Sequence, residues 1–112
     1  MIKCYKIMYG FHDWECTIEF NTELFTQDLL QECLDFFYWN YDKKGDLYAE
    51  YAKKLAKSII YLSMEWNEEG IIDKFKDVEG FPPLDGSMGV KLIVSDTFEF
   101  EDEDFTCKLR DL

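Results

Sequence analysis

Strict alternation of apolar and polar residues opens the chain's structural pattern. In WECTIEF, Trp14, Cys16, Ile18 and Phe20 fall on one side and Glu15, Thr17 and Glu19 on the other. That period of two marks a half-buried strand. The preceding run IKCYKIMY is less regular, with Tyr5, Ile7 and Tyr9 sharing a face and Lys6 opposite them. Gly10 to Asp13 joins the two runs, glycine supplying a permissive backbone, so Met1–Phe20 is predicted to be a β-hairpin. Lys3 and Lys6 are then expected across from Glu15, Thr17 and Glu19, a charge match of about a few tenths of a kcal/mol.

The period then changes to that of a helix. Thr26 can cap the free amides of QDLL, after which Leu29, Leu30, Cys33, Leu34, Phe36 and Phe37 form a broad apolar stripe. Asn40–Gly45 breaks this helix, and Asp46 is placed to cap a longer one, LYAEYAKKLAKSIIYLSMEW. Tyr48, Tyr51, Ala52, Leu55, Ile59, Leu62 and Trp66 step along it by three and four, with Lys53, Lys54 and Lys57 on the other face.

From Asn67 the pattern loosens. NEEG is read as the end of the second helix, IIDKF as a short strand, and DVEGFPPLDGSMG as a loop rich in Gly and Pro. Phe81 and Pro82 each precede a proline, which favours extended backbone and makes FPPL stiff. VKLIV and TFEFE are expected to be two further strands, joined by a Ser95-Asp96 link too short for a crossover. In TFEFE, Phe98 and Phe100 alternate toward the core with Glu99 and Glu101 toward solvent; Asp102 and Asp104 then fall on the apolar parity, so a bulge or strand end is expected near Asp102, with pairing resumed at Phe105, Cys107 and Leu109. The order ββαα(β)ββ predicts an α+β fold, one domain over residues 1–112, in which an N-terminal hairpin and C-terminal strands form an antiparallel sheet with two helices packed on one face.

Composition narrows what such a fold can do. Aromatic residues make up 18% of the chain, far more than a disordered acidic tail would carry. The formal charge is −12, divided unevenly: residues 1–60 hold ten acids and seven bases, residues 61–112 fourteen acids and five bases. Such a field repels phosphate backbones and anionic lipid, which argues against direct nucleic-acid or membrane binding and for a basic protein partner. The four cysteines lack a CxxC motif, no run reaches the about 18 apolar residues of a membrane span, and the N-terminus has no signal-peptide core, so a cytoplasmic protein with reduced thiols is expected. One hairpin register would allow a Cys4–Cys16 disulfide, which such a compartment disfavours.

Candidate sites compete with simpler structural roles. His12 beside Asp13 is the lone His–Asp pair, yet no Ser or Cys nucleophile has a recognisable neighbourhood, and turn histidines are usually solvated. EDED, residues 101–104, offers hard oxygen ligands but lacks the glycine and the final acid of an EF-hand loop, and a zinc site would need converging Cys and His; no metal or cofactor is expected. The GSMG stretch lacks the lysine of a phosphate loop and serves better as a rigid turn or a protein-contact loop. FFYWNY carries more rings than one helix face can bury, leaving Tyr38 and Trp39 as candidate exposed anchors or a second core layer against Trp14. Charge on an edge strand blocks sheet-to-sheet aggregation and explains two or three of the C-terminal acids, but not six carboxylates from Asp96 to Asp104. If exposed, that edge could pair across a two-fold axis, which its charges oppose.

EGFPPLDGSMGVKLIVSDTFEFEDEDF resembles the C-terminal part of a small family of short, acidic bacterial proteins without assigned activity, often carried by phages and plasmids. The resemblance extends to the Trp14–Phe20 strand and both helices. It implies a bacterial or mobile-element setting and transfers no functional residue. With the acidity, it leads to the expectation of a non-enzymatic protein that binds a basic protein surface through Glu99, Glu101, Asp102, Glu103 and Asp104, with Glu65, Glu68 and Glu69 as a second patch. A counter-defence inhibitor that uses acids in place of phosphates (anti-CRISPR or anti-restriction) is one form of this. The alternatives are an immunity-type protein against a basic nuclease toxin, a small hydrolase using His12 with Asp13 or Cys16, and a housekeeping role in which the acids only confer solubility.

Overall fold

Strand β2, Trp14–Asn21, is the centre of a sheet ordered β1-β2-β3. The computed structural model describes residues 1–10, 13–78 and 80–110. β1, Ile2–Tyr9, and β3, Val90–Ser95, both pair antiparallel with β2. Trp14, Cys16, Ile18 and Phe20 are all buried, as the alternation of β2 requires. Register places Ile7 opposite Cys16, Tyr5 opposite Ile18 and Lys3 opposite Phe20. Tyr5, Ile7 and Tyr9 therefore do share the core-facing side. Lys3 departs from its expected place among the β2 acids: parity turns it to the core side, its ammonium 5.0 Å from the Tyr48 ring centroid. Lys6 does lie on the acidic face, with its ammonium 3.4 Å from Glu15. All four cysteines are free, and Cys4 lies across from Glu19 rather than near Cys16.

Three helices cover one face. α1 spans Gln27–Phe36, α2 Leu47–Ser63 and α3 Glu68–Phe75. Thr26 caps α1 through the Leu29 amide, and Asp46 caps α2 through the amides of Tyr48 and Ala49. α2 packs on β1 and β2, α3 on β3, and α1 on α2. Tyr48, Tyr51, Ala52, Leu55 and Ile59 of α2 are buried, whereas Trp66, beyond the helix end, is exposed. The hydroxyl of Tyr48 donates to the Phe25 carbonyl at 2.7 Å, holding the β2–α1 connection against α2.

Two expected strands are not strands. IIDKF belongs to α3: Asn67 accepts the Gly70 amide at 2.9 Å, so NEEG starts a helix as well as following one, and Ile71 and Phe75, four apart, both turn to the core. TFEFE follows β3 without regular structure and without a sheet partner among the described residues, and residues 102–104 form one turn of 3-10 helix. Phe98 is half-buried as an inward residue would be, but Phe100 is 65% exposed, and pairing does not resume at Phe105, Cys107 and Leu109, all exposed. The radius of gyration of 16.1 Å exceeds the ~13 Å of a compact domain of this length, consistent with the fully exposed run from Glu99 to Arg110.

The cap of α2 predicts a pH response. Partial burial acts to raise the Asp46 carboxyl, but the Tyr5 hydroxyl at 2.7 Å, the amides of Ala49 and Tyr48 and the Lys3 charge outweigh it and hold the group below the usual carboxylate range. The stability it contributes is present above the unfolded-state value of about 3.9 and is lost as pH falls through the lower folded value. Asp46→Asn should keep much of the cap and flatten this acid limb, whereas Asp46→Ala should cost about 0.5–2 kcal/mol near neutrality. Urea midpoints taken from pH 7 to pH 3 check both.

Candidate partner-binding surface

The C-terminal acidic segment is held at its start and free beyond it. Trp14, 1% exposed at the start of β2, directs its indole N–H to the Asp96 carbonyl at 2.9 Å and to the Ser63 hydroxyl at 3.1 Å. The Asp96 amide donates to the Glu15 carbonyl at 2.9 Å, and an Asp96 carboxylate oxygen accepts the Glu15 amide at 3.1 Å. Ser63 donates to Ile60 and accepts the Phe98 amide at 3.3 Å. The chain does not turn back as a hairpin at Ser95-Asp96: Asp96 is bonded to Glu15 of β2 and the Phe98 amide to Ser63 of α2. The chain leaves across the end of the sheet and over α2.

From there a row of rings lines the surface. Tyr9 and Phe98 meet edge to face at 6.4 Å, Phe98 and Phe100 at 5.0 Å, and Phe100 and Phe105 lie 6.1 Å apart. Asp13, Glu99, Glu101 and Asp104 join these four rings around a pocket of about 270 Å³. Between Leu92 and Cys107 there is no Lys or Arg, and none of the six acids in that stretch forms an ion pair among the described residues. Glu101, Asp102, Glu103 and Asp104 are all exposed, as is Glu99. Asp102 and Asp104 avoid burial because the 3-10 turn, rather than a strand, carries them.

The other anticipated residues are scattered. Glu65 and Glu69 are exposed around the α2–α3 junction, but Glu68 is half-buried and accepts the Ser95 amide at 3.2 Å, tying α3 to the end of β3. Tyr38 is fully exposed. Trp39 is half-buried, its indole donating to the Leu34 carbonyl at 3.0 Å with the Lys54 ammonium 5.0 Å from its ring. Neither packs with the C-terminal acids, and the aromatic cluster closes over α2 and Phe81 rather than over Trp14.

His12 lies outside the described residues. Cys16, a proposed companion nucleophile, is fully buried, and burial followed by the charges of Asp96 and Glu15 pushes its thiol up to about 12. It is a neutral thiol at physiological pH, unsuited to attack. Among the described residues no three His, Cys, Asp or Glu side chains converge as metal ligands would, and no helix is long and apolar enough to cross a membrane. Sequence reasoning overlooked Trp14 and Ser63 as the anchor of the segment. The signal was Ser63 itself, a hydroxyl four residues after Ile59 on the apolar stripe of α2, where a buried polar group requires partners.

Comparison with known proteins places the chain near phage sequences. It is 29% identical, over 96% of its length and 96% of theirs, to protein ea10 of Escherichia phage lambda and to the lambda prophage-derived protein ea10 of Escherichia coli O6:H1 strain CFT073. No family model matches the chain, and no solved structure matches it.

Proposed function

We propose that this chain is a non-enzymatic acidic protein that binds a basic protein surface through its C-terminal segment. One observation carries the reading: from Asp96 to Asp104 six carboxylates, none in an ion pair among the described residues, are displayed beside exposed phenylalanines on a folded scaffold. Unpaired acids give the field that steers a cationic partner, and exposed rings give the apolar contact that holds it. Such a surface stands in for a phosphate backbone. Similarity to the lambda proteins favours a phage setting, in which the partner is a host defence protein with a basic nucleic-acid channel. The buried, neutral Cys16 weighs against a hydrolase that uses it as nucleophile.

The test is affinity capture from host cells with the wild type and with Glu101→Lys/Asp102→Lys/Glu103→Lys/Asp104→Lys. The wild type should capture a basic protein that elutes as salt rises. The variant, with all four changes on exposed residues, should keep its circular dichroism and lose at least about tenfold in capture. Undiminished capture overturns the reading. An immunity role differs only in the partner recovered, a nuclease toxin in place of a defence protein.

A further inference from the structure

The acidic pocket is one end of a longer depression. Between β1, α2 and the C-terminal segment runs an open groove of about 520 Å³, floored by Trp14, Ala56 and Ile60 and bordered by Tyr61 and Met64. Tyr9, Phe98 and Phe100 line both the groove and the acidic pocket, so the two adjoin. Along this line the surface passes from apolar to acidic. Among the described residues the groove is lined by no carboxylate, and its charged groups are Lys53 and Lys57; those lining the pocket include four carboxylates and no base.

We propose that this depression receives a segment of the basic partner in which a bulky apolar side chain adjoins an arginine, the apolar group in the groove and the guanidinium in the pocket. The inference rests on the reading of the protein as a binder of basic surfaces and specifies what is recognised. Charge complementarity selects the occupant. Asp13, Glu99, Glu101 and Asp104 form no ion pair among the described residues, so a cation entering there meets uncommitted carboxylates. Arginine suits the pocket better than lysine because its planar, weakly hydrated guanidinium stacks on rings while its fork reaches carboxylates. At the other end Tyr61 is 64% exposed beside Met64, an aromatic and a thioether of the kind that anchor interfaces and adapt to apolar side chains. Lys57 repels a second cation there and so sets the direction in which the segment lies. Lys53 is already paired with Glu50. A second copy of this chain is a poor occupant, since it brings a further charge of −12 to the acidic end.

The experiment measures binding of the full chain to fluorescein-labelled pentapeptides by anisotropy at low salt. RRLRR should bind about tenfold more tightly than RRGRR, the size expected for partial burial of one leucine side chain. KKLKK should be several-fold weaker than RRLRR, and EELEE should not bind. Tyr61→Ala/Met64→Ala removes groove side chains that are exposed and leaves the acidic end intact. It should reduce the leucine advantage to about twofold or less without changing the affinity for RRGRR. Equal affinity for RRLRR and RRGRR, or a leucine advantage that survives this double substitution, overturns the groove assignment and leaves the charge reading standing. RRGRR binding that ignores the Glu101–Asp104 reversal removes both, as does no binding of RRLRR at millimolar concentration. Peptide-free dimerisation abolished by Tyr61→Ala/Met64→Ala assigns the groove to a second copy and also overturns the proposal.

Discussion

Replacing Trp14 with alanine should lower the unfolding free energy by about 3–5 kcal/mol, a large part of the 5–15 kcal/mol typical of a small domain. Trp14 is among the largest fully buried side chains, and its loss would open a cavity where β2, α2 and the C-terminal segment meet. The same change removes the indole donor shared by Ser63 and the Asp96 carbonyl. Trp14→Phe separates the two effects: it keeps most of the volume and should cost about 1–3 kcal/mol through the acceptors it leaves unmet. Urea unfolding of both variants checks the magnitudes. Because Asp96 is where the acidic segment begins, the variants should also weaken partner capture, although neither changes a charge.

Gly89→Ala should be nearly as damaging, at about 3 kcal/mol or more. Gly89 has φ of 89°, and an added Cβ would stand 2.6 Å from the Phe25 amide nitrogen and 2.9 Å from the Asn21 carbonyl oxygen. Those backbone atoms cannot easily retreat. The Asn21 amide donates to the Gly89 carbonyl at 2.8 Å, and the Phe25 amide donates to Asn21 at 2.8 Å. Gly86 is the control, with the same φ but only the Lys91 side chain near its Cβ position, at 3.6 Å. Gly86→Ala should therefore cost only the conformational penalty, about 1–2 kcal/mol. A Gly89 variant no worse than the Gly86 variant, measured by thermal unfolding, would show that the loop yields where its hydrogen bonds suggest it cannot.

Which parts of this molecule could be read in advance follows from the range of the forces involved. β2 was legible because one face is buried along its whole length, so each of its residues repeats the same signal. The caps at Thr26 and Asp46 were legible because their partners lie two or three residues away. α3 was misread since two adjacent isoleucines fit either a strand or a helix, and only the cap at Asn67 and the spacing of Ile71 and Phe75 decide between them. TFEFE alternates as a strand should, yet alternation does not supply a neighbour. The bonds from Glu15 and Trp14 to Asp96, between residues about 80 apart, redirect the chain before it can pair. The acidic display was visible in the sequence; the pocket it shares with Tyr9 and Asp13 depends on that distant crossing.

The few tethers that hold the segment also set how often it is in place. Trp14 and Glu15 hold Asp96, Ser63 holds Phe98, and one half-buried ring adds its packing. Four hydrogen bonds and a ring oppose opening far less strongly than the sheet does, so the segment can lift away while β1, β2 and the helices stay folded. A partner that needs the closed form then has an apparent dissociation constant equal to its intrinsic one divided by the closed fraction. Affinity can accordingly be raised or lowered at Ser63, which lines neither the groove nor the acidic pocket, through the population of closed molecules.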